Sequence, residues 1–566
     1  MSPSIADLDP QLTGLRAGAE RWTELPLSEK RAVLREVRAA TLAAAAEWVE
    51  AACGVKRIAP DGPAAGEEWS TGPFSVITAT LALEKTLKLV DSGRSPISEV
   101  EVGSAPGRRT TLAVFPYVAK DAVLKDYEAH VWLRPGVSLD DARGGLARQL
   151  RRRDAPARVT LVLGAGNITA IPALDVLSAL YQENSAVIVK LNPVNAAIQT
   201  AFEAAFAPLI ERGVLVVTAG DQELGQQLLD DDRIDRVHLT GSRHTHDAIV
   251  WGEGEDAVRR RAAGEPLLDK PVSSELGGVG PAIVVPDETW SADNIDAVAR
   301  DIATQRLHNS GFNCVATQIA VIPDAWSKAD AFVDRLRHHL AAAPDRAAYY
   351  PGASSRQLAV VTVHPDASVL GGDPHVPRTL VDHLDPADAE EHLFTQEAFG
   401  PVLGVMRLPG TREPGPYLAA AVAFANEKLA GTLSASIHLH PSTQEALGSQ
   451  FDDLVAELRY GTVGINAWAG TVFGMPGGTW GAFPGHTLDD VGSGIGIVHN
   501  ALLLDPDHVE RTVAQGPWHA HPTPLWFVGN RTSHITARRL TRFAGIDSWA
   551  IAAPIGAAAL DSYRRG

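Results

Sequence analysis

The sequence RVTLVLGAGNITAIPALDVLSALYQENSAVIVKL, residues 158–191, decides the fold class. Its apolar, β-branched runs at 159–163 and 186–191 are typical of strands buried on both faces, and the spacing over 171–183 is typical of a helix. The alternation continues through a helix, a strand, a helix and a strand at 196–211, 214–218, 222–230 and 236–239. This order predicts a parallel, doubly wound sheet, in which ligands bind at the carboxyl ends of strands.

A second alternating region follows further along the chain. Apolar periodicity predicts a strand, a helix, a strand and a helix at 282–286, 293–308, 318–322 and 325–342. Upstream, residues 28–52 predict one helix, which Ser28 could cap and Gly54 could end. Residues 108–135 are expected to be extended. The pattern therefore predicts two α/β domains preceded by helices and extended chain.

The bulk composition excludes several classes of protein. A chain of 566 residues that is 45% hydrophobic is expected to fold, and to form more than one core. The net charge of -18 opposes a nucleic-acid partner, which would need a basic face. Two cysteines cannot form a disulfide framework, and neither a signal-like start nor a membrane-length apolar run is found. We therefore expect a cytoplasmic protein that binds no membrane.

Two residues could take part in covalent catalysis, Cys314 as the nucleophile and Glu275 as the base. Cys314, at the end of Asn309-Ser-Gly-Phe-Asn-Cys, is expected on a loop, where a thiolate could attack an aldehyde carbon. The alternative for Cys314 is a small buried hydrophobe, and that is the better interpretation for Cys53 on its alanine-rich helix. Glu275 precedes Leu-Gly-Gly and could deprotonate a thiol or a water.

Other polar groups follow the predicted strands. Asn167 ends a glycine turn that lacks the last glycine of the dinucleotide fingerprint, so it is either a turn residue or an oxyanion donor. Lys190 lies near a strand end, within reach of a ribose or a phosphate. Thr240-Gly-Ser242 opens a helix, whose first N–H groups can bind phosphate. Glu397-Ala-Phe-Gly-Pro could contact a ribose or simply form a turn.

Taken in order, these segments resemble the aldehyde dehydrogenase superfamily over about residues 158–470. Lys190 follows Asn167 at the family's spacing, and Glu275-Leu-Gly-Gly matches a family motif. The other similar segments are 213–241, Gly311 to Cys314, Glu397-Ala-Phe-Gly-Pro401, 426–437 and Gly461-Thr-Val-Gly-Ile-Asn466.

The resemblance implies a fold, a division of the chain and a set of roles. The expected fold has two doubly wound α/β domains and a small oligomerisation arm: residues 1–275 with the NAD(P)-binding domain, 276–475 with the catalytic domain, and 476–566 as a C-terminal bridging segment and tail. Cys314 would form a thiohemiacetal and then a thioester, Asn167 would hold the oxyanion and Glu275 would activate water. NAD or NADP would contact Gly166, Lys190, Gly220, Gly241, Ser242, Glu397 and Phe399. A homodimer or homotetramer is expected.

The sequence departs from the family pattern at several positions. Phe312 stands where Gln is usual and Gly166 where Trp is usual. Pro193 replaces a Glu that is common in NAD-preferring members, which leaves NADP open. The substrate pocket is expected near Trp468, Phe473 and Phe312, which favours an apolar or aromatic aldehyde.

Three alternatives remain at this point. A CoA-acylating relative would pass the thioester to CoA, but such relatives commonly lack the carboxylate found here at Glu275. A catalytically silent structural member would explain the altered motifs at Phe312 and Gly166. A plain Rossmann alcohol dehydrogenase would explain neither Cys314 nor Glu275.

Overall fold

The computed structural model describes residues 4–124, 126–152 and 155–566. Within them the strands are β1 Val102–Ala105, β2 Arg109–Phe115, β3 Glu128–Leu133, β4 Val159–Leu163, β5 Ala186–Leu191, β6 Leu215–Ala219, β7 Arg236–Gly241, β8 Val272–Leu276, β9 Gly280–Val284, β10 Thr317–Pro323, β11 Ser368–Asp373, β12 Val376–Leu384, β13 Val402–Leu408, β14 Ser434–His438, β15 Thr462–Ile465, β16 Gly494–Ile495 and β17 Val509–Gln515.

The helices that surround these strands are α1 Ile5–Glu24, α2 Leu27–Lys56, α3 Ala65–Trp69, α4 Ser75–Asp91, α5 Leu139–Gly145, α6 Arg148–Arg151, α7 Ile171–Tyr181, α8 Gln199–Glu211, α9 Gln222–Leu229, α10 Arg243–Trp251, α11 Gly254–Ala263, α12 Ala292–Leu307, α13 Ala329–Ala342, α14 Ala353–Val363, α15 His392–Thr395, α16 Pro414–Lys428, α17 Pro441–Leu447, α18 Ser449–Glu457, α19 Ser533–Gly545 and α20 Trp549–Tyr563.

The smaller sheet has the strand order β16-β8-β7-β4-β5-β6. Its strands run parallel except β16, which pairs antiparallel with β8. Every residue of β5 is buried, as expected for a strand covered by helices on both faces. The predicted parallel, doubly wound arrangement is confirmed, and it places the ends of β4, β5, β7 and β8 along one edge.

The larger sheet has eleven strands in the order β1-β2-β3-β17-β15-β14-β9-β10-β13-β12-β11. Its centre, from β17 to β12, is parallel, and β1, β2 and β3 extend it as antiparallel strands. The segment 102–133, which precedes the smaller sheet in the chain, therefore belongs to the larger one. The last two strands in the chain are divided between the sheets, since β16 joins the smaller sheet and β17 the larger.

The helices before and after the two sheets pack on each other. Helices α19 and α20 cover a cluster on α2 and α3 that includes Val49, Cys53 and Trp69. The prediction of a helix over 28–52 was correct in type but wrong at both ends, because α2 begins after Pro26 and continues through Gly54 to Lys56. Within the described ranges, no helix combines the length and apolar character needed to cross a bilayer.

Candidate active site

Cys314 lies on the loop between α12 and β10, as predicted. The loop backbone is unusual, because Asn309 and Ser310 have positive φ values and Gly311 follows with φ 81°. A Cβ atom at Gly311 would lie 2.6 Å from the carbonyl carbon of Gly400, so only glycine fits this close approach. The geometry fixes the Cys314 loop against the loop that carries Glu397.

Asn167 is buried at the end of β4 and contacts the same loop. Its Nδ2 donates to the carbonyl oxygen of Phe312 at 2.9 Å. In return, Nδ2 of Asn309 donates to the carbonyl oxygen of Asn167 at 3.0 Å, and the Tyr349 hydroxyl donates to that oxygen at 3.1 Å. These bonds join the smaller sheet to the Cys314 loop, and they place the Asn167 amide in the cavity that Cys314 lines.

Glu275, the last but one residue of β8, is buried beside Cys314, close enough for each group to shift the pKa of the other. Burial raises the pKa of Glu275 to about 7. Burial and the carboxylates of Glu275 and Glu397 raise the pKa of the Cys314 thiol. The resting pair is therefore a neutral thiol beside a carboxyl group that titrates near neutrality. Such a pair can form a thiolate by proton transfer within the site.

The cavity beside Cys314 is mostly apolar and has a volume of about 880 Å³, counting its open mouth. Its lining includes Phe74, Ile168, Ile171, Trp468, Phe473 and Trp480. The predicted contributions of Trp468 and Phe473 are thus observed. The prediction for Phe312 was wrong, because its fully buried ring packs away from the cavity among Tyr349, Tyr350 and Phe399.

One wall of this cavity comes from the C-terminal part of the chain. Leu525 and Trp526 line it, and the Trp526 ring packs edge-on against Tyr127 at a centroid distance of 5.4 Å. The sequence analysis missed these residues because their segment matches no family motif. An aromatic and an aliphatic residue side by side in a proline-rich stretch were the only available signal.

A buried charged cluster supports the Cys314 loop from the opposite side. Glu67 of α3 accepts the backbone N–H of Asn309 at 3.1 Å and pairs with Arg346 at 3.0 Å. Burial alone would raise the pKa of Glu67, but Arg346, His308 and Lys56 outweigh it and hold the pKa below its usual value. The sequence analysis missed this cluster, although two adjacent acids in a helix that also contains Trp69 could have drawn attention to it.

The predicted cofactor residues of the smaller sheet lie along the expected edge. Lys190 is buried near the end of β5. Its aliphatic chain packs beside Gly225, where a Cβ would lie 3.6 Å from Cε of Lys190. Gly241 ends β7, and Ser242 caps α10 by accepting the N–H of Thr245. Gly220 follows β6. An ammonium group and the start of a helix are thus available to an anion at this edge.

Glu397 lies against the glycines that follow Glu275. A Cβ at Gly277 would lie 2.3 Å from a carboxylate oxygen of Glu397, so any larger residue there would displace this carboxylate. Burial raises the pKa of Glu397 to about 8, although Arg306 and Arg356 oppose the rise. Its neighbour Phe399 lies under the Arg356 guanidinium, 5.6 Å from the ring centroid.

Side chains from two other segments lie close to Gly166. A Cβ at Gly166 would lie 2.7 Å from the Asn192 side chain and 3.1 Å from the Tyr350 hydroxyl. Tyr350 therefore occupies space next to the position where a tryptophan is usual. The Tyr350 ring packs edge-on against Phe399 at 4.9 Å.

Comparison with known proteins adds to this geometry. Residues 153–348 match the model of the aldehyde dehydrogenase family. An N-succinylglutamate 5-semialdehyde dehydrogenase of Novosphingobium aromaticivorans is 29% identical over 35% of this chain and 38% of its own length. A vanillin dehydrogenase of Pseudomonas fluorescens is 25% identical over 48% of this chain and 55% of its own length. The aligned stretches thus cover less than two thirds of these relatives.

The fold comparison covers nearly the whole chain. The crystal structure of an NADP-dependent glyceraldehyde-3-phosphate dehydrogenase from Bacillus halodurans, complexed with NADP, superposes with a TM-score of 0.59. The match spans 91% of this chain and 92% of that one, at 18% identity, which establishes a common fold. The chain is therefore similar to the aldehyde dehydrogenase family over residues 153–348, and it shares its fold with the dehydrogenase from Bacillus halodurans over most of its length.

Proposed function

We propose that the chain oxidises an apolar aldehyde to its carboxylic acid, with NAD or NADP as hydride acceptor and Cys314 as nucleophile. The observation that carries this proposal is the buried Glu275 carboxyl group beside the Cys314 thiol, which itself lines an apolar cavity. A half-buried nucleophile beside a base of near-neutral pKa is the arrangement that covalent catalysis requires.

The first step follows from the positions of these side chains. Glu275 takes the thiol proton, and Sγ of Cys314 attacks the aldehyde carbon to give a thiohemiacetal oxyanion. Asn167 Nδ2 uses one hydrogen to bind the Phe312 carbonyl, which fixes the amide, and its other hydrogen is left for the oxyanion. The backbone N–H of Cys314 is the second donor.

The edge of the smaller sheet suits a nicotinamide dinucleotide. Lys190 and the start of α10 at Ser242 would hold its ribose and phosphate groups, while Glu397 would accept from a ribose hydroxyl and Phe399 would pack beside it. When bound, the nicotinamide supplies the hydride acceptor that turns the thiohemiacetal into a thioester. Gly277 fits this assignment, since it allows the Glu397 carboxylate to approach the chain after β8. Pro193 leaves the choice between NAD and NADP open.

Glu275 also serves the second step. With the thiol proton gone, its carboxylate removes a proton from water as the water oxygen attacks the thioester carbon. The C–S bond breaks, and the acid is released. Retention of this carboxylate favours hydrolysis over transfer to CoA.

The cavity lining favours a particular kind of aldehyde. Aromatic and aliphatic side chains surround Cys314, and no lysine or arginine appears among the described residues that line the cavity. An aldehyde with an aromatic or branched apolar group fits such walls, because their main contribution is apolar burial. The similarity to a vanillin dehydrogenase agrees with this substrate class.

The remaining expectations from the sequence stay part of the proposal. The division into 1–275, 276–475 and 476–566 would place the boundary at the end of β8. Assembly as a homodimer or homotetramer is supported by the exposed edge strand β1. A cytoplasmic location is the setting in which Cys314 would remain reduced.

The proposal is tested by following NAD(P)H absorbance with a panel of aldehydes, each cofactor, and CoA present or absent. We expect turnover without CoA that is lost in Cys314→Ala. Cys53→Ala is the matched control, since Cys53 is fully buried away from the cavity. Turnover only with CoA would move the assignment to the acylating branch. Activity that survives in Cys314→Ala would refute the nucleophile.

A further inference from the structure

One imidazole lies in the wall of the cavity beside Cys314. Among the described residues that line this cavity, His308 and Cys314 are the ionisable ones. The His308 ring packs against the indole of Trp468 with the centroids 5.1 Å apart, and that indole is itself held by donating to the Val315 carbonyl at 2.9 Å. The proposed reaction gives this imidazole no role. Since a buried polar group is costly unless it is hydrogen bonded, the contacts of its two ring nitrogens matter.

The side-chain amides beside Cys314 fix the tautomer of the His308 ring. Nδ2 of Asn309 donates to the carbonyl oxygen of Asn167 at 3.0 Å and to Oδ1 of Asn313 at 3.1 Å. This contact orients the Asn313 amide, whose Nδ2 is then directed at His308. It donates to the backbone carbonyl of His308 at 3.1 Å and lies 3.0 Å from Nδ1 of the ring. Nδ1 is therefore an acceptor, and a neutral ring carries its proton on Nε2.

The surroundings keep this ring neutral near pH 7. Burial lowers the pKa of His308. The Glu67 carboxylate opposes the fall, and the nearby cations Arg346 and Lys56 add to it. A neutral imidazole has one N–H group, so His308 offers a single uncharged donor at Nε2.

The Nε2–H group of His308 faces the cavity. His308 is only 2% exposed, and its Nδ1 edge is turned toward Asn313. Nε2, on the other edge of the ring, has no hydrogen-bond partner among the described residues and is not enclosed by protein. Because the residue lines the cavity beside Cys314, the free N–H is available to a molecule that occupies this cavity.

The hydroxyl groups in the same wall differ from His308 in this respect. Each of them donates to a backbone carbonyl at 2.7 or 2.8 Å; these residues are Ser70, Thr71, Ser75 and Thr471. Their protons are already used within the protein. The imidazole of His308 is thus a polar group whose donor remains open toward the substrate.

We propose that His308 selects aldehydes that carry an acceptor oxygen on their apolar body, such as an ether or carbonyl oxygen, by donating to that oxygen from Nε2. This inference rests on the proposed function and narrows its substrate class. An apolar aldehyde that fills the cavity removes water from this N–H group. An aldehyde without the oxygen leaves the donor unpaired and is therefore disfavoured. His308 transfers no proton in this role, and it determines specificity.

The test compares methoxybenzaldehyde with ethylbenzaldehyde, as meta and para isomers, in wild-type protein and in His308→Phe. The two substituents are similar in size, but only the methoxy oxygen accepts a hydrogen bond. His308→Phe keeps a flat ring beside Trp468 and removes the N–H group. We expect the ratio of kcat/KM values, methoxy over ethyl, to fall about tenfold in this variant for at least one isomer. A ratio that is unchanged for both isomers, or equal losses with both aldehydes, would overturn the proposal.

Further variants separate the N–H group from other effects of the substitution. Thr471→Val is the matched control, because it removes a cavity hydroxyl that already donates to a carbonyl, and it should leave the ratio unchanged. His308→Gln, whose amide nitrogen can reach the position of Nε2, should keep most of the ratio, whereas the shorter His308→Asn should lose it. This pair decides the question even if His308→Phe does not fold, and equal ratios in the pair would contradict the assignment.

A binding measurement works without a nicotinamide cofactor. Methoxybenzamide and ethylbenzamide carry the same substituents but are not oxidised, and calorimetric titration gives their dissociation constants. We expect the preference for the methoxy compound over the ethyl compound to fall about tenfold in His308→Phe, and an unchanged preference would refute the role of His308. If wild-type protein forms no NAD(P)H with any aldehyde, the proposed function fails, and these titrations still decide whether His308 binds an acceptor oxygen.

Discussion

The carboxylate of Glu67 accepts the backbone N–H of Asn309 at 3.1 Å, so a helix of the N-terminal region holds the loop that carries Cys314. The same carboxylate neutralises Arg346, and both side chains are largely buried. The loop is thus secured by a group 242 positions away in the chain. This relationship makes the N-terminal helices part of the site, although none of their side chains was predicted to be.

Glu67→Gln should destabilise the protein. The amide can still accept from Asn309, but Arg346 loses its buried counter-charge, which costs about 3 kcal/mol of unfolding free energy. Urea denaturation followed by circular dichroism measures the loss. Glu84→Gln, which removes a more exposed carboxylate paired with Arg35 and Arg38, is the control and should cost less. Equal losses in the two variants would mean that burial of the Glu67 pair has no special weight.

The turnover number should depend on pH with a midpoint near 7. Burial raises the pKa of Glu275 to about 7, and only its deprotonated form can accept a proton from the thiol or from water. Below pH 7 the rate should therefore fall about tenfold per pH unit, and above it the rate should level off. Measuring kcat between pH 5.5 and pH 9 tests this. A flat profile across pH 7 would show that Glu275 is not the base, and Glu275→Gln should abolish turnover.

Gly277→Ala should weaken cofactor binding. The new Cβ would lie 2.3 Å from a Glu397 oxygen, so the carboxylate must move from the place where we propose that it binds a ribose. We expect the dissociation constant of NAD(P)H, measured by fluorescence titration, to rise about tenfold, which corresponds to roughly 1.4 kcal/mol. Gly144→Ala is the control, because a Cβ there meets nothing within 4 Å. Unchanged binding in Gly277→Ala would remove Glu397 from the cofactor site.

Trp526→Ala should widen the range of aldehydes that are accepted. Removing the indole enlarges the cavity, so bulky aldehydes should gain kcat/KM relative to small ones by about tenfold. Steady-state kinetics with a series of aldehydes of increasing size measures the ratio. If the ratio stays constant across the series, the C-terminal wall does not select the substrate.

The sequence predicted the strands and helices that depend on the periodicity of neighbouring apolar residues. Strands β4 and β5 appear at the predicted residues, because short apolar, β-branched runs are typical of strands that are buried on both faces. The positions of Asn167, Lys190 and Cys314 at strand or helix ends follow from the same alternation.

The features that the sequence did not predict depend on contacts between distant segments. The predicted end of α2 was wrong because the helix continues past Gly54 to Lys56. Lys56 forms a buried ion pair with Glu68 at 2.8 Å, and this contact favours the additional helical residues. Phe312 was placed in the substrate cavity because an aromatic beside the nucleophile suggests a pocket wall. Three other aromatic rings, from segments 349–350 and 399, bury it instead.

The position of Leu525 and Trp526 in the chain has a consequence for the order of assembly. The ribosome adds Cys314 more than two hundred residues before it adds Leu525 and Trp526, which form one wall of the cavity beside this thiol. Both sheets are also incomplete until late in synthesis, because β16 of the smaller sheet lies at 494–495 and β17 of the larger sheet at 509–515. The nascent protein therefore carries a thiol without this wall while about two hundred further residues are made, and the cavity closes only after Trp526 has been added.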